Sequence, residues 1–354
     1  MKIRLQTGIL FLCILLLFGC SPRPVPATPN LPATPTSTSI PAGLTQEQFT
    51  TLNSLQKVDD YPLYTMTYTG VYRPRVGAMS FENSITNSDS SPAWACSLFT
   101  VLLDKDNLLF GRNFDWQFSP ALLLFNDPPD GYASVSMVDI EYLGFEGETV
   151  KDMTELTIDE QMSLLDAPYI PFDGMNEYGL VIGMAAVPSG DMQPKAGKET
   201  IGSLGIIRQM LDRARTVDEA VDIMQDYNID FSGGPPLHYL LADATGKSAL
   251  VEYYDGRIHV LENEQPWHVA TNFLRSSVDA PEDGNCWRYN TIASKLTKAN
   301  GQIDTQAAMQ LLADVAQNNT QWSVIYQMSS GTINVVMGQQ YQTAHQFYLD
   351  LVSQ

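Results

Sequence analysis

The chain has 354 residues, 44% of them hydrophobic and 17% charged, with a formal net charge of −20, which is apolar material enough for one large core. So acidic a surface repels phosphate backbones and excludes nucleic acid as a partner. The histidines His238, His259, His268 and His345 are scattered without the spacing of metal ligands, so neither a metal nor another cofactor is expected.

In chain order, residues 1–19 carry Lys2 and Arg4 and then an apolar run from Gly8 to Phe18, ending in Leu17-Phe18-Gly19-Cys20. The run is too short to span a bilayer and reads as a secretory leader. Its ending resembles a lipobox, which would make Cys20 the lipidated first residue of the exported protein; an ordinary leader with an incidental cysteine is the plainer alternative. Residues 20–43 are rich in Pro, Thr, Ser and Ala and read as an extended tether. The expected location is extracytoplasmic, with the lipid at Cys20 anchoring the protein to the bacterial cell membrane. Residues 44–95 form a mixed segment with a moderately apolar stretch from Tyr61 to Val76 and a polar run from Asn83 to Ser91.

Residues 97–103 and 108–114 are apolar and β-prone, and Asp104-Lys105-Asp106-Asn107 between them predicts a hairpin. If Leu103 faces Leu108, Phe99 lies opposite Arg112 and Cys96 opposite Asp115. Residues 117–172 and 188–202 read as pocket-lining loops. Further strands are predicted at 179–187, 237–242, 248–253, 257–261, 267–272, 322–328 and 332–337, most of them apolar on both faces. Helices are predicted at 203–214, at 217–227 behind a Thr216–Glu219 capping box, at 286–299, at 304–317 behind Asp304, and over the tail 343–352. Many strands with a few helices grouped in sequence indicate an α+β layered domain.

Of the four cysteines, Cys13 and Cys20 belong to the leader and anchor. Cys96 and Cys286 remain, and in an exported protein such a pair suggests one disulfide. The surroundings of Cys96 suggest another use: Arg112, Asn113 and Asp115 follow it in the string CSLFTVLLDKDNLLFGRNFDW. Taken singly, Arg112 and Asp115 make an ordinary hairpin ion pair, and Asn176 and Asn272 are turn residues. Ser203 lacks the Gly-x-Ser-x-Gly frame of a nucleophile elbow.

Taken together and in order, these residues resemble the choloylglycine hydrolase and penicillin V acylase family, and more loosely acid ceramidase-like and isopenicillin N acyltransferase-like enzymes. Asp173-Gly174-Met175-Asn176-Glu177-Tyr178-Gly179-Leu180 is similar to the family's Asn-Glu-x-Gly-Leu segment, and residues 236–256 to its hairpin running from a His to a Glu. Thr271-Asn272 and Arg288-Tyr289 are similar to its Thr-Asn and Arg-aromatic positions. The resemblance spans roughly residues 96–337. It implies a four-layer αββα N-terminal-nucleophile (Ntn) hydrolase fold and hydrolysis of a linear amide C–N bond in an N-acylated small molecule.

The resemblance also implies roles. Cys96 would be the nucleophile and its own amine the base, since the two reference pKa values lie close together. Asp115 would orient the amine, Arg112 would favour the thiolate, Asn176 and Asn272 would donate to the oxyanion, and Arg288 would complete the polar floor. Because Ser21 to Ala95 separate Cys96 from Cys20, the chain must be cut before Cys96. The implied division is a lipoprotein signal peptide (1–19), an anchor and tether (20–43), a prosegment (44–95) and a catalytic domain (96–354). A non-catalytic ligand-binding surface lipoprotein and an acyltransferase stay open as alternatives, as does assembly into a homo-oligomer.

Overall fold

The computed structural model describes residues 40–41, 43–72, 95–145, 152–277 and 286–352. The leader, Cys20, most of the tether, and the approach to the cysteine through Asn83–Ser91 and Pro92–Trp94 lie outside the described residues.

Two large sheets carry the fold. The first has nine strands in the order β1 (Gln56–Asp59), β2 (Leu63–Tyr68), β5 (Ala121–Asn126), β6 (Ser134–Asp139), β7 (Asp173–Asn176), β8 (Val181–Ala186), β11 (Leu237–Ala242), β12 (Ser248–Tyr254) and β13 (Arg257–Glu262). The second has six, in the order β14 (Trp267–Ala270), β3 (Ala95–Val101), β4 (Leu109–Asp115), β15 (Thr320–Gln327), β16 (Thr332–Met337) and β17 (His345–Tyr348). A short parallel pair, β9 (Thr200–Gly202) with β10 (Asn228–Asp230), stands apart. Helices α2 (Gly205–Arg213) and α3 (Val217–Asp226) cover the outside of the nine-stranded sheet, and α4 (Trp287–Lys298) and α5 (Thr305–Asp314) cover the outside of the six-stranded one. With the sheets packed through β3, β8 and β11, the layers run helix, sheet, sheet, helix, which is the αββα sandwich.

This layering explains why the strands read apolar on both faces. Leu98, Phe110 and Phe114 enter the core shared with the nine-stranded sheet, while Phe99, Val101 and Leu109 join Ile292, Leu296, Leu311 and Leu312 beneath the outer helices. Alternate side chains of one strand thus feed two cores. The sheets approach so closely at Gly183 that a Cβ there would sit 2.7 Å from Leu98 and 2.9 Å from Phe110.

The expected hairpin forms, one residue out of register. Asp104 turns the chain by accepting from the amide of Asp106 at 3.0 Å, and the connection absorbs residues 102–108. Leu103 is exposed while Leu108 is wholly buried, so the two cannot face each other. Instead Leu98 faces Arg112, Cys96 faces Phe114 and Ala95 faces Asp115. Facing residues share a side of the sheet, so the slip turns Asp115 away from the side that holds the sulfur.

Two other expectations are corrected. Within 117–172, read as loop, β5 and β6 are central strands; lacking alternation because both faces are covered, they gave no period to read. The tail, expected as a helix, is the edge strand β17 on β16. Its burial alternates with period two, and the open sheet edge supplies the backbone partners that a lone short helix lacks. Upstream, α1 (Gln46–Asn53) starts at a capping box between Thr45 and Gln48. With β1 and β2 it places residues 44–72 in the same compact unit as the rest, with β2 pairing β5 in parallel.

Candidate active site

Cys96 is the second residue of β3, and its side chain is fully buried between the sheets. On the same face, Arg112 brings Nη2 to 3.5 Å from the sulfur and to 3.7 Å from Sδ of Met184. The guanidinium lies 5.0 Å from the Phe114 ring centroid, and its Nη1 closes an ion pair with Asp173 of the opposing sheet. Both partners of that pair are fully buried. Tyr326, from β15, donates its hydroxyl to the other carboxylate oxygen of Asp173. A cation beside a sulfur in the dry space between sheets favours the thiolate only while a fixed countercharge keeps the cation itself affordable to bury. Asp173 is that countercharge.

The backbone of Cys96 is held from its other side. Its N–H donates to Oδ1 of Asn272 at 2.9 Å, and its carbonyl accepts from Nη1 of Arg288. Arg288 also donates to Oγ of Ser97 at 3.0 Å and, through Nη2, to Oδ1 of Asn272 at 2.8 Å. Asn272 is fixed in turn by donating from Nδ2 to the carbonyl of Ala186 at 2.8 Å. Asp115 sits below, accepting from Oγ1 of Thr320 at 2.6 Å and from Nε2 of Gln317, with Arg288 3.9 Å away.

Burial pushes the Cys96 thiol above its ordinary value, Arg112 pulls it down and Asp115 pushes it up, and the net shift is upward. Burial likewise raises the Asp115 carboxyl, against the hydrogen bonds from Thr320 and Gln317 and the charges of Arg288 and Arg112. These surroundings therefore favour the protonated thiol.

Arg112, Asn272 and Arg288 thus converge on Cys96, Asp115 is joined to them through Arg288, and Asn176 lies elsewhere. Its Nδ2 spends both hydrogens on the carbonyls of Leu211 at 3.0 Å and Ala214 at 2.7 Å, and its Oδ1 accepts from the amides of Tyr178 and Leu180. No donor remains for an oxyanion, so the role expected of Asn176 is corrected: it ties the turn after β7 to the end of α2. Asn272 also differs from expectation, since its oxygen accepts from the nitrogen of Cys96, the contact expected of Asp115. Asp173, Tyr326, Gln317 and Thr320 were missed. Asp173 had a signal, a lone charge in the apolar run Phe172–Met175, where a buried carboxylate demands a partner.

Cys286 caps α4, accepts from Oγ1 of Thr271 at 3.4 Å, and like Cys96 is free of disulfide. Among the described residues no group of His, Cys, Asp and Glu could hold a metal ion. A cleft of about 570 Å³ runs beside β13 and β14 to Arg275 and Tyr289.

Residues 96–278 match the linear amide C–N hydrolases of the choloylglycine hydrolase family, over about half of the chain. The bile salt hydrolase/transferase of Clostridium perfringens is 30% identical over 190 residues, which cover 48% of this chain and 54% of that protein. The penicillin V acylase of Pectobacterium atrosepticum is 32% identical over 111 residues, 28% of this chain and 29% of that one. The chain thus spans about half, or less, of the length of these curated relatives. Among solved structures, a mutant conjugated bile acid hydrolase from Clostridium perfringens superposes with a TM-score of 0.51 at 17% identity, covering 72% of this chain and 92% of that one. Penicillin V acylase from Agrobacterium tumefaciens does so with a TM-score of 0.50 at 18% identity, covering 72% and 86%. At such identities the likeness is one of fold.

Proposed function

This chain belongs to the linear amide C–N hydrolases of the choloylglycine hydrolase family, and from that membership we propose that it is a cysteine Ntn amidase that frees its own nucleophile by cutting the Ala95–Cys96 bond. The observation that carries the reading is the double hold on Cys96: a guanidinium 3.5 Å from its sulfur and an asparagine oxygen 2.9 Å from its nitrogen. A structural cysteine needs neither.

In the cut, the Cys96 sulfur bonds to the carbonyl carbon of Ala95 while the C–N bond breaks, and the thiol proton ends on the departing nitrogen. Water then cleaves the thioester, leaving a carboxylate on Ala95 and a free thiol and amine on Cys96. In turnover the amine takes the thiol proton, the sulfur attacks the substrate carbonyl, and the amine returns the proton to the leaving nitrogen. Water releases the acid from the thioester. Arg112 steadies the sulfur's charge, and Asn272 and Arg288 hold the residue that carries both groups.

The substrate class that fits is an N-acylated small molecule such as a conjugated bile salt, penicillin V or an N-acyl amine. The same proposal includes lipidation at Cys20 and an extracytoplasmic site of action, on the strength of the leader and tether.

Intact-mass spectrometry of the purified protein, paired with hydrolysis of penicillin V and a glycine-conjugated bile salt, tests this. A fragment beginning at Cys96, absent from Cys96→Ala, is expected. An uncut chain that hydrolyses these amides at full rate would overturn the mechanism, and an uncut, inactive chain would leave a ligand-binding lipoprotein. Product analysis with an added amine separates hydrolysis from acyl transfer.

A further inference from the structure

Glu252 and His238 lie on the neighbouring strands β12 and β11, one step beyond the paired residues Val251 and Tyr239. Neither has appreciable exposure, and Nδ1 of His238 stands 3.1 Å from Oε1 of Glu252. The same carboxylate reaches out of the nine-stranded sheet to the segment that follows β14. Oε1 accepts from the amide of Arg275 at 2.9 Å, and Oε2 from the amide of Ser276 at 2.7 Å. That segment has neither helix nor strand of its own. Asn272, three residues before the first gripped amide, is where it touches the nitrogen of Cys96.

A carboxylate buried in an apolar core is costly, and a pair of apolar residues would join the two strands as well or better. What apolar side chains cannot do is accept two successive backbone N–H groups of a loop in fixed directions. The arrangement holds the carboxyl ionised: burial opposes it, but His238 and the donors from Arg275 and Ser276 bring Glu252 down to about 2.

We propose that Glu252, seated on His238, is a positioning residue that fixes the 272–277 segment so that Asn272 meets the nitrogen of Cys96, and thereby sets the rate of both the cut before Cys96 and the later amide hydrolysis. This rests on the reading of Cys96 as nucleophile given above.

The test is a double-mutant cycle on the full chain with Glu252→Gln, Asn272→Ala and the two combined. The cut is timed by mass spectrometry after translation in vitro, and kcat and KM for penicillin V are measured on cut protein. Glu252→Gln keeps the shape but sets an N–H against an N–H. It should slow the cut about tenfold or more and lower kcat alike, with KM within about twofold. In the Asn272→Ala background it should add nothing further. A Glu252→Gln protein that cuts and turns over at the wild-type rate would overturn the proposal, as would an effect that multiplies that of Asn272→Ala, because a merely structural residue acts independently of Asn272. If Glu252→Gln does not fold, Glu252→Asp, which keeps the charge but withdraws from the amides, takes its place in the cycle with the same two outcomes. A wild-type chain that neither cuts nor hydrolyses would show, before any variant is made, that the premise has failed and this proposal with it.

Discussion

Arg112 and Asp115 lie on one strand three residues apart and therefore on opposite faces of it: the arginine meets the sulfur of Cys96 between the sheets, and the aspartate meets Thr320 and Gln317 beneath the helices. Cys96 is reached from both sides because its side chain belongs to one face while its backbone belongs to neither. One strand thus supplies a charge for the thiol and a second, opposite charge under the residue's main chain, without the two neutralising each other.

The Arg112–Asp173 pair makes the first prediction. Removing one member of a fully buried pair strands the other, at a cost of about 3 kcal/mol or more. Asp173→Asn should therefore lose about that much stability in urea unfolding, measured in the Cys96→Ala background so that the chain stays whole. A loss below about 1 kcal/mol would mean that the pair is open to water.

Asn176 and Asn272 should fail differently. Asn176→Ala orphans two carbonyls and two amides and should cost about 2–4 kcal/mol of stability, while the folded fraction cuts itself at the normal rate. Asn272→Ala, which orphans the Cys96 amide, the Ala186 carbonyl and one Arg288 donor at a half-buried position, should also lower stability, but unlike Asn176→Ala it should slow the cut severely in the folded fraction. The reverse pattern in the two timed reactions would restore Asn176 to the site.

Asp139 gives a pH signature. Burial, with Glu141 beside it, pushes its carboxyl up to about 8, against about 3.9 in an unfolded chain. The folded state holds a proton that the unfolded state releases. The stability contributed by this group is therefore full below about pH 4 and is lost as the pH rises through about 8. Asp139→Asn keeps the acceptor for the amide of Glu141, 3.1 Å away. It should stabilise the fold by several kcal/mol at pH 8 and hardly at all at pH 4. Equal effects at both pH values in denaturant melts would show that the carboxyl is ionised in the fold.

Cutting before Cys96 should not release the upstream piece. β2 pairs with β5 from Leu63 to Tyr68, Leu63, Tyr64 and Met66 are buried, and the Tyr72 hydroxyl donates to Asp212 at 2.7 Å. Burial of those side chains alone favours the complex by several kcal/mol, at about 2 kcal/mol each. Gel filtration of cut protein should give one peak containing both masses, which separate in denaturant. Fully active protein lacking the upstream piece would show that residues 44–72 are dispensable.

Much of this was legible in the residues alone. Cys96, Arg112, Asp115, Asn272 and Arg288 were legible as a candidate set because chemistry restricts which side chains can serve one reaction, and the fold brings them within reach of one another. The caps at Thr216 and Asp304 marked their helices because such hydrogen bonds are local, as the contacts to Glu219 and Ala307 show. Strands between two covered faces were legible where an apolar run stood out; β5 and β6 were missed even though Asp127-Pro128-Pro129-Asp130-Gly131 separates them, because wholly buried strands carry little period to read.

Other features depended on neighbours distant in the chain. Whether Asp115 shares a face with Cys96 turned on a single step of register, set by where Leu103 and Leu108 could be placed and so by the packing around the turn. Asn176 and Asn272 are the same residue type in similar turns. One was drawn to the carbonyls ending α2 and the other to Cys96, because a side chain's partners are fixed by which segments the fold brings within about 3 Å. Asp173 gained its meaning only when a second sheet laid Arg112 against it, since the cost of a buried charge, and what offsets it, are decided in three dimensions.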